Sequence, residues 1–253
     1  MNDEPIPLKS HLLELRRRLT YSAISVALTT GVAFIFHRQI LKFLMEPAKQ
    51  FEGIPVGGPV YTTLTEFISI AFKTSLLVGL FASLPFVLYQ VVRFAAPGLN
   101  KTERRYLYIL MPATLLAFLA GAAFGYYVMF PPMIDFLLNF GEGVAVPMIS
   151  IGNYINLILT LTFWLGIIFE MPVIIFFLAK IGLVSPDFLG RHRRYAIVVA
   201  FILGAIITPT FDPINQSMVA IPIIVLYELS IWLSKLAARG RRTRAVGAEQ
   251  PSQ

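Results

Sequence analysis

Two acids sit inside basic runs, Glu14 in SHLLELRRRL (Ser10 to Leu19) and Glu103 in NKTERRY (Asn100 to Tyr106). A carboxylate kept among Arg and Lys is suited to receiving a guanidinium, because the two planar groups pair through two charge-assisted hydrogen bonds. Two such acids on one face would read a ligand carrying paired positive charges, while the neighbouring arginines turn away unselective cations. Each acid also has a purely structural use. Arg17 and Arg18 follow Glu14 at three and four positions, the spacing of a helix-surface ion pair worth about 0.2–0.5 kcal/mol. Glu103 follows Asn100 by three, the spacing of a capping box.

Other polar residues stand out against long apolar runs. Glu170, in IIFEMPVII, precedes Lys180 by nine uncharged residues, and a charge that deep costs about 2.5–3.5 kcal/mol on insertion scales. Pro172 removes a helical hydrogen bond two residues later and predicts a kink that turns Glu170 toward a hydrated concave surface. Glu170 is then either a structural carboxyl hydrogen-bonded across the bundle or a polar contact for a partner helix or passing polypeptide. Asp212 before Pro213 has the pattern of a helix cap, and Gln216 bonds either a partner transmembrane helix or a neighbouring helix of its own chain. Glu228, seven residues before Lys235, pairs with a basic neighbour or snorkels.

Enzyme signatures are missing. There is no Cys, His11, His37 and His192 are scattered without an HExxH pattern, and Asp3, Asp135, Asp187 and Asp212 lie outside the span centres. No Walker A sequence is present either. The sequence therefore predicts neither catalysis, metal nor cofactor, and leaves any energy coupling to an ion gradient or a partner.

The elements that must position these residues are apolar helices. Of 253 residues, 57% are hydrophobic and 14% charged, with a mean hydropathy of +0.72, which marks an all-α integral membrane protein. The net charge of +7 lies in short clusters beside apolar runs, the pattern of topology signals and lipid-headgroup contacts rather than nucleic-acid binding. Uncharged stretches predict six transmembrane helices at 19–36, 67–92, 106–130, 153–180, 195–208 and 213–234, within a membrane domain 1–236, followed by a basic tail, 237–253, expected to be disordered. The first span reads as a retained helix rather than a cleaved leader. Asn100, Ser185 before Pro186, and Asp212 before Pro213 predict helix starts. The N-terminus, the second and fourth connections and the tail carry 17 of the 21 Lys and Arg residues, so both termini and both acids are predicted to be cytoplasmic.

Helix lengths differ in a way that matters physically. The fifth span, bounded by Tyr195 and Pro209, rises about 21 Å against a hydrocarbon core of about 30 Å. A short fifth and sixth helix would thin the membrane locally. The third span is long, and Pro131 and Pro132 predict that PPMIDFLLNF turns into an external cap.

Four motifs in order, SHLLELRRRL, LYQVVRFAAPGLNKTERR, FEMP and TPTFDPINQ, resemble the TatC family of the twin-arginine translocase across nearly the whole chain. The resemblance implies a six-helix, cup-shaped receptor in the prokaryotic cytoplasmic (inner) membrane that binds Arg-Arg signal peptides of folded precursors and drives export with the proton motive force. It implies that Glu14, Arg16, Phe94, Pro97, Glu103, Arg104 and Arg105 form the signal-peptide site, that Glu170 lies on the concave face, and that Asp212 and Gln216 meet the single-span subunits A and B. Membrane lipid and self-association are further implied contacts. Val92 stands where the family commonly has Trp, and Arg93 where it is usually apolar. Two other readings of the residues compete: a proton-coupled small-solute transporter using Glu170, and an intramembrane hydrolase, for which no nucleophile or metal set is recognisable.

Overall fold

Lipid offers backbone N–H and C=O groups no partners, so apolar runs that enter it must close their hydrogen bonds internally. In the computed structural model, which describes residues 8–51, 59–96, 100–144, 147–208 and 212–248, every regular element is helical apart from one isolated bridge between Val60 and Ser150. The elements are α1 (Leu8–Ile35), α2 (His37–Leu44), a 3₁₀ turn (Glu46–Gln50), α3 (Glu66–Ala95), α4 (Lys101–Phe124), a π turn (Gly125–Met129), α5 (Phe130–Asn139), α6 (Ile151–Phe169), α7 (Met171–Ile181), α8 (Pro186–Arg191), α9 (Arg193–Ile207) and α10 (Pro213–Ala248).

Among the described residues, five segments are long and apolar enough to cross a membrane: His11–Ile35, Glu66–Phe94, Arg104–Asn139, Ile151–Ile181 and Pro213–Ala238. Between 61% and 89% of each segment's most apolar stretch is left unburied by the chain itself, as lipid-facing helices require. The remaining predicted span falls on α9, whose 15 residues rise about 22 Å. Predicted starts at Ser185 and Asp212 are observed as side-chain caps. Ser185 Oγ accepts from the Phe188 N–H at 3.2 Å and Asp212 Oδ1 from the Asn215 N–H at 2.7 Å, with Pro186 and Pro213 opening the helices. The Asn100 carbonyl accepts from the Arg104 N–H at 2.9 Å, one residue before α4. Ser150 caps α6 by accepting from the Asn153 N–H at 3.2 Å, so the helix begins at Ile151, two residues before the expected start.

Two expectations are corrected. Pro131 and Pro132 do not end the third span, which runs helically from Arg104 to Asn139. A proline ring crowds the carbonyl four residues back, here on Tyr127 and Val128, and both lie in the wider π turn, where the Phe130 N–H reaches the Gly125 carbonyl. The sixth helix is also not short, since α10 has 36 residues and continues to Ala248. Its apolar run stops early, but the basic stretch beyond Lys235 is made largely of residues that tolerate helix well. The end predicted at 234 followed charge rather than backbone propensity.

The chain forms two compact units, Met1–Glu46 with Tyr61–Met111, and Pro47–Val60 with Pro112–Gln253. In the first, α1 and α3 pack antiparallel over most of their length. His11 meets Phe94, Arg18 meets Gln90, Thr29 meets Gly79 and Phe34 meets Phe72. Gly79 is the closest approach: a Cβ there would lie 2.5 Å from the Thr30 backbone nitrogen. Thr29 Oγ1 donates to the Gly79 carbonyl at 2.7 Å, so the contact is pinned as well as tight.

In the second unit α6 carries the core, with Ile155, Ile158, Leu161 and Leu165 fully buried. The end of α4 lies directly on it, since a Cβ on Gly121 would run into the Leu165 carbonyl oxygen. Phe130 and Tyr154 add an edge-on ring contact at 5.2 Å. α10 packs along α7 and α9.

Candidate functional site

The antiparallel register of α1 and α3 brings the start of one beside the end of the other, and the first candidate residues gather there. Glu14 Oε1 accepts from Arg18 Nη2 at 3.0 Å, and Arg18 Nη1 donates to Gln90 Oε1 at 3.1 Å. The Glu14 and Arg18 side chains are 31% and 17% exposed, while Gln90 is 5% exposed. A carboxylate at the surface is thus oriented through a guanidinium to a buried amide. Glu14 Oε2 has no hydrogen-bond partner among the described residues. Among the described residues the predicted helix-surface pair is made as a direct ion pair with Arg18. Arg17 turns to Tyr21, donating from Nε at 3.0 Å with its guanidinium 5.5 Å from the ring centre.

Aromatic and cationic groups frame this end. His11 stacks on Phe94 with ring centres 4.5 Å apart and planes 21° apart, which places an apolar wall one turn from Glu14. Arg93 folds over Tyr89, donating from Nη1 at 3.3 Å, while Val92 beside it is buried. Arg16, Arg104 and Arg105 are exposed, with Arg104 over the Tyr108 ring at 5.9 Å. Glu103 stands in the first turn of α4, its side chain outside the described residues, as is Pro97. The structure therefore links Glu14 to Arg18 and Gln90, and sets Phe94 against His11, three residues before Glu14 on α1. Gln90 had a signal in the sequence, being a lone amide in LYQVVRF.

Chemically these groups are of the kind that can pair a guanidinium. They offer an oriented carboxylate, a ring face for stacking, and a basic rim that excludes weakly matched cations. Among the described residues no cluster of three or more His, Cys, Asp or Glu is placed to hold a metal ion.

Glu170 occupies the single-residue break between α6 and α7. Pro172 lacks an N–H, so the helical ladder is interrupted where the sequence predicts a kink, and the Glu170 N–H bonds back to Ile167 at 3.1 Å while its carbonyl receives the Ile174 N–H at 3.0 Å. Glu170 Oε2 is buried without a hydrogen-bond partner among the described residues, and so is Thr162 Oγ1 on α6. A cross-bundle hydrogen bond to that oxygen is therefore not observed.

Asp212 and Gln216 are engaged within their own unit. Asp212 Oδ1 takes the Asn215 N–H, and Oδ2 takes Asn215 Nδ2 at 2.9 Å. Gln216 Nε2 donates to the Phe201 carbonyl of α9 at 2.8 Å, so of its two predicted uses the internal contact is the one observed. Glu228 pairs side-on with Arg193, Nε to Oε1 and Nη2 to Oε2, both at 2.9 Å.

A family profile described as Sec-independent protein translocase protein (TatC) matches residues 10–222. The chain is 43% identical over 242 residues to the Sec-independent protein translocase protein TatC of Koribacter versatilis, covering 94% of this chain and 89% of that one. It is 39% identical over 239 residues to the TatC of Aquifex aeolicus, covering 94% and 98%. A crystal structure of a twin arginine translocase receptor TatC superposes with a TM-score of 0.79 at 39% identity, covering 90% of this chain and 99% of that one.

Proposed function

The chain belongs to the TatC family of Sec-independent protein translocase proteins, and on that premise we propose that it is the receptor that reads paired arginines in the signal peptides of exported precursors. It is a multi-pass protein of the bacterial inner membrane and a component of protein transport. Its relatives are named as translocase components, a transport role and not an enzymatic one. That membership sets aside the solute-transporter and hydrolase readings.

The observation that supports the receptor reading is the Glu14 carboxylate, oriented at Oε1 through Arg18 and Gln90, with Oε2 making no hydrogen bond among the described residues. One arginine of the signal takes that oxygen and stacks against Phe94. The second is received by Glu103, which stands at the start of α4 eight residues beyond the end of α3. Pro97 shapes the connection, and Arg16, Arg104 and Arg105 supply the excluding rim. A lysine in either position loses the planar two-bond match and most of the ring contact.

Both termini lie in the cytoplasm in this account, and α9 completes six spans by drawing the bilayer thin along its roughly 22 Å length. The single-span subunits A and B meet the α9–α10 end near Asp212 and Gln216. Glu170 offers its unpartnered oxygen to the passing signal or to a partner helix. The proton motive force drives the transport, at about 2.3 kcal/mol per charge per 100 mV.

A photo-crosslinker in place of Phe94 tests the reading, with the full chain in membranes that contain subunits A and B. Labelling of a precursor with an Arg-Arg signal, and not of the same precursor with Lys-Lys, is expected. Equal labelling of both would refute it.

A further inference from the structure

We propose that the cleft between α8 and α10 is a binding site for the phosphodiester of an anionic phospholipid headgroup. A cavity of about 460 Å³ opens there, with Pro186 and Ile231 in its apolar lining and three cationic residues, Arg191, Arg193 and Lys235, among the residues that line it. Its position is a boundary. Ile231 is buried in the unit, Lys235 is exposed one helical turn later, and the opposite wall is the polar connection that holds α8. Headgroup phosphates sit at such a depth, and basic pockets between helices at this level suit them.

The cations are arranged to accept rather than already consumed. Arg193 is fixed side-on by Glu228 through Nε and Nη2, which leaves Nη1 without a hydrogen bond among the described residues and the guanidinium held in place before a ligand arrives. Among the described residues Arg191 uses only Nε, on the Asp187 carbonyl at 3.4 Å, and its two terminal nitrogens make no bond there. Lys235 has no ion-pair partner among the described residues. Against these three stand two acids, Glu228 in its pair and Asp187 in the cavity wall. The balance of one positive charge matches one phosphodiester, and Asp187 is left to accept from a headgroup hydroxyl.

A lipid fits better than a free phosphate because of what adjoins the cleft. Leu229, Trp232 and Leu236 are exposed on α10 at 47%, 69% and 59%, at helical spacing that forms one stripe beside Lys235. An acyl chain descending from a phosphate held by Arg191 and Lys235 lies along that stripe, with Trp232 at the interfacial level where indole rings concentrate.

Competition in nanodiscs tests the site, with full-length protein extracted from mixtures of phosphatidylglycerol, phosphatidylethanolamine and phosphatidylcholine and its retained lipids counted by native mass spectrometry. Wild type is expected to hold one phosphatidylglycerol in preference to either zwitterionic lipid. The double variant Arg191→Gln, Lys235→Gln should lose about 25-fold of that preference, about fivefold for each charge removed. The control Arg38→Gln, Lys42→Gln, which removes two basic residues elsewhere, should keep it. Equal losses in the two double variants, equal retention of the three lipids, or displacement by soluble glycerol phosphate at the lipid's own affinity would each overturn the proposal. Thermal unfolding of both variants within about 2 °C of wild type, as surface substitutions allow, keeps a loss of lipid distinct from a loss of fold.

Discussion

Replacing Gly79 by Ala tests whether the register of α1 on α3 positions the Glu14 end. The added Cβ would lie 2.5 Å from both the Thr30 nitrogen and Thr30 Oγ1, and 2.6 Å from its Cα. Non-bonded atoms need about 3.5 Å, and backbone cannot swing aside, so the helices must part by roughly 1 Å. That stretches the 2.7 Å bond from Thr29 to the Gly79 carbonyl past the useful range. Overpacking costs about 1–3 kcal/mol and the lost hydrogen bond about 1 more. With roughly 2–4 °C per kcal/mol for a chain of this size, unfolding should fall by about 5–15 °C. The same separation pulls Arg18 from Gln90 and His11 from Phe94, so affinity for an Arg-Arg signal peptide should fall with it. Gly31→Ala on α1 is the control, because nothing lies within 4 Å of its Cβ. There the gain in helix propensity predicts an unchanged or slightly higher melting temperature. Detergent-solubilised protein followed by circular dichroism supplies the first readout and peptide titration the second. If Gly79→Ala unfolds and binds as Gly31→Ala does, the close-packed register does not position the site.

Gln90→Leu removes the acceptor for Arg18 Nη1 and leaves that guanidinium, whose Nε is already unpartnered, with Glu14 alone; about 2 kcal/mol of stability should be lost, and Gln90→Glu should restore it, as thermal unfolding would report. Asp212→Ala deletes the α10 cap and should cost about 0.5–2 kcal/mol, whereas Asp212→Asn keeps the Oδ1 cap acceptor but loses the Oδ2 acceptor for Asn215 Nδ2, and should fall between Asp212→Ala and wild type in the same measurement.

Local features of this chain were legible because their causes are local. Ser185 before Pro186 and Asp212 before Pro213 announce caps whose partners are three residues away, and the break at Glu170 follows from the missing N–H of Pro172. Charge runs marked the spans because lipid excludes charge. The same rule misled at α10, where backbone propensity and not polarity decides how far a helix continues. Pro131 and Pro132 looked like a terminus, since sequence alone does not show that a π turn can relieve the crowding they cause. The pairing of Arg18 with Gln90 was hidden for another reason. It joins residues 72 apart, and only the antiparallel register of α1 and α3 makes them neighbours. Motif order pointed to Glu14 and Phe94 as members of one site, while the observed geometry adds Gln90 as the anchor that orients the acid.

The most direct measurement is the affinity of one signal peptide, carrying Arg-Arg or Lys-Lys, for the full chain in nanodiscs and for its Glu14→Gln and Glu103→Gln variants, by isothermal titration calorimetry. A charge-assisted bond to each arginine is worth about 1.5–3 kcal/mol, or roughly 10- to 150-fold. The account predicts that Arg-Arg binds wild type at least about tenfold more tightly than Lys-Lys, and that either substitution removes most of that difference. Equal affinities across both peptides and all three proteins would contradict it.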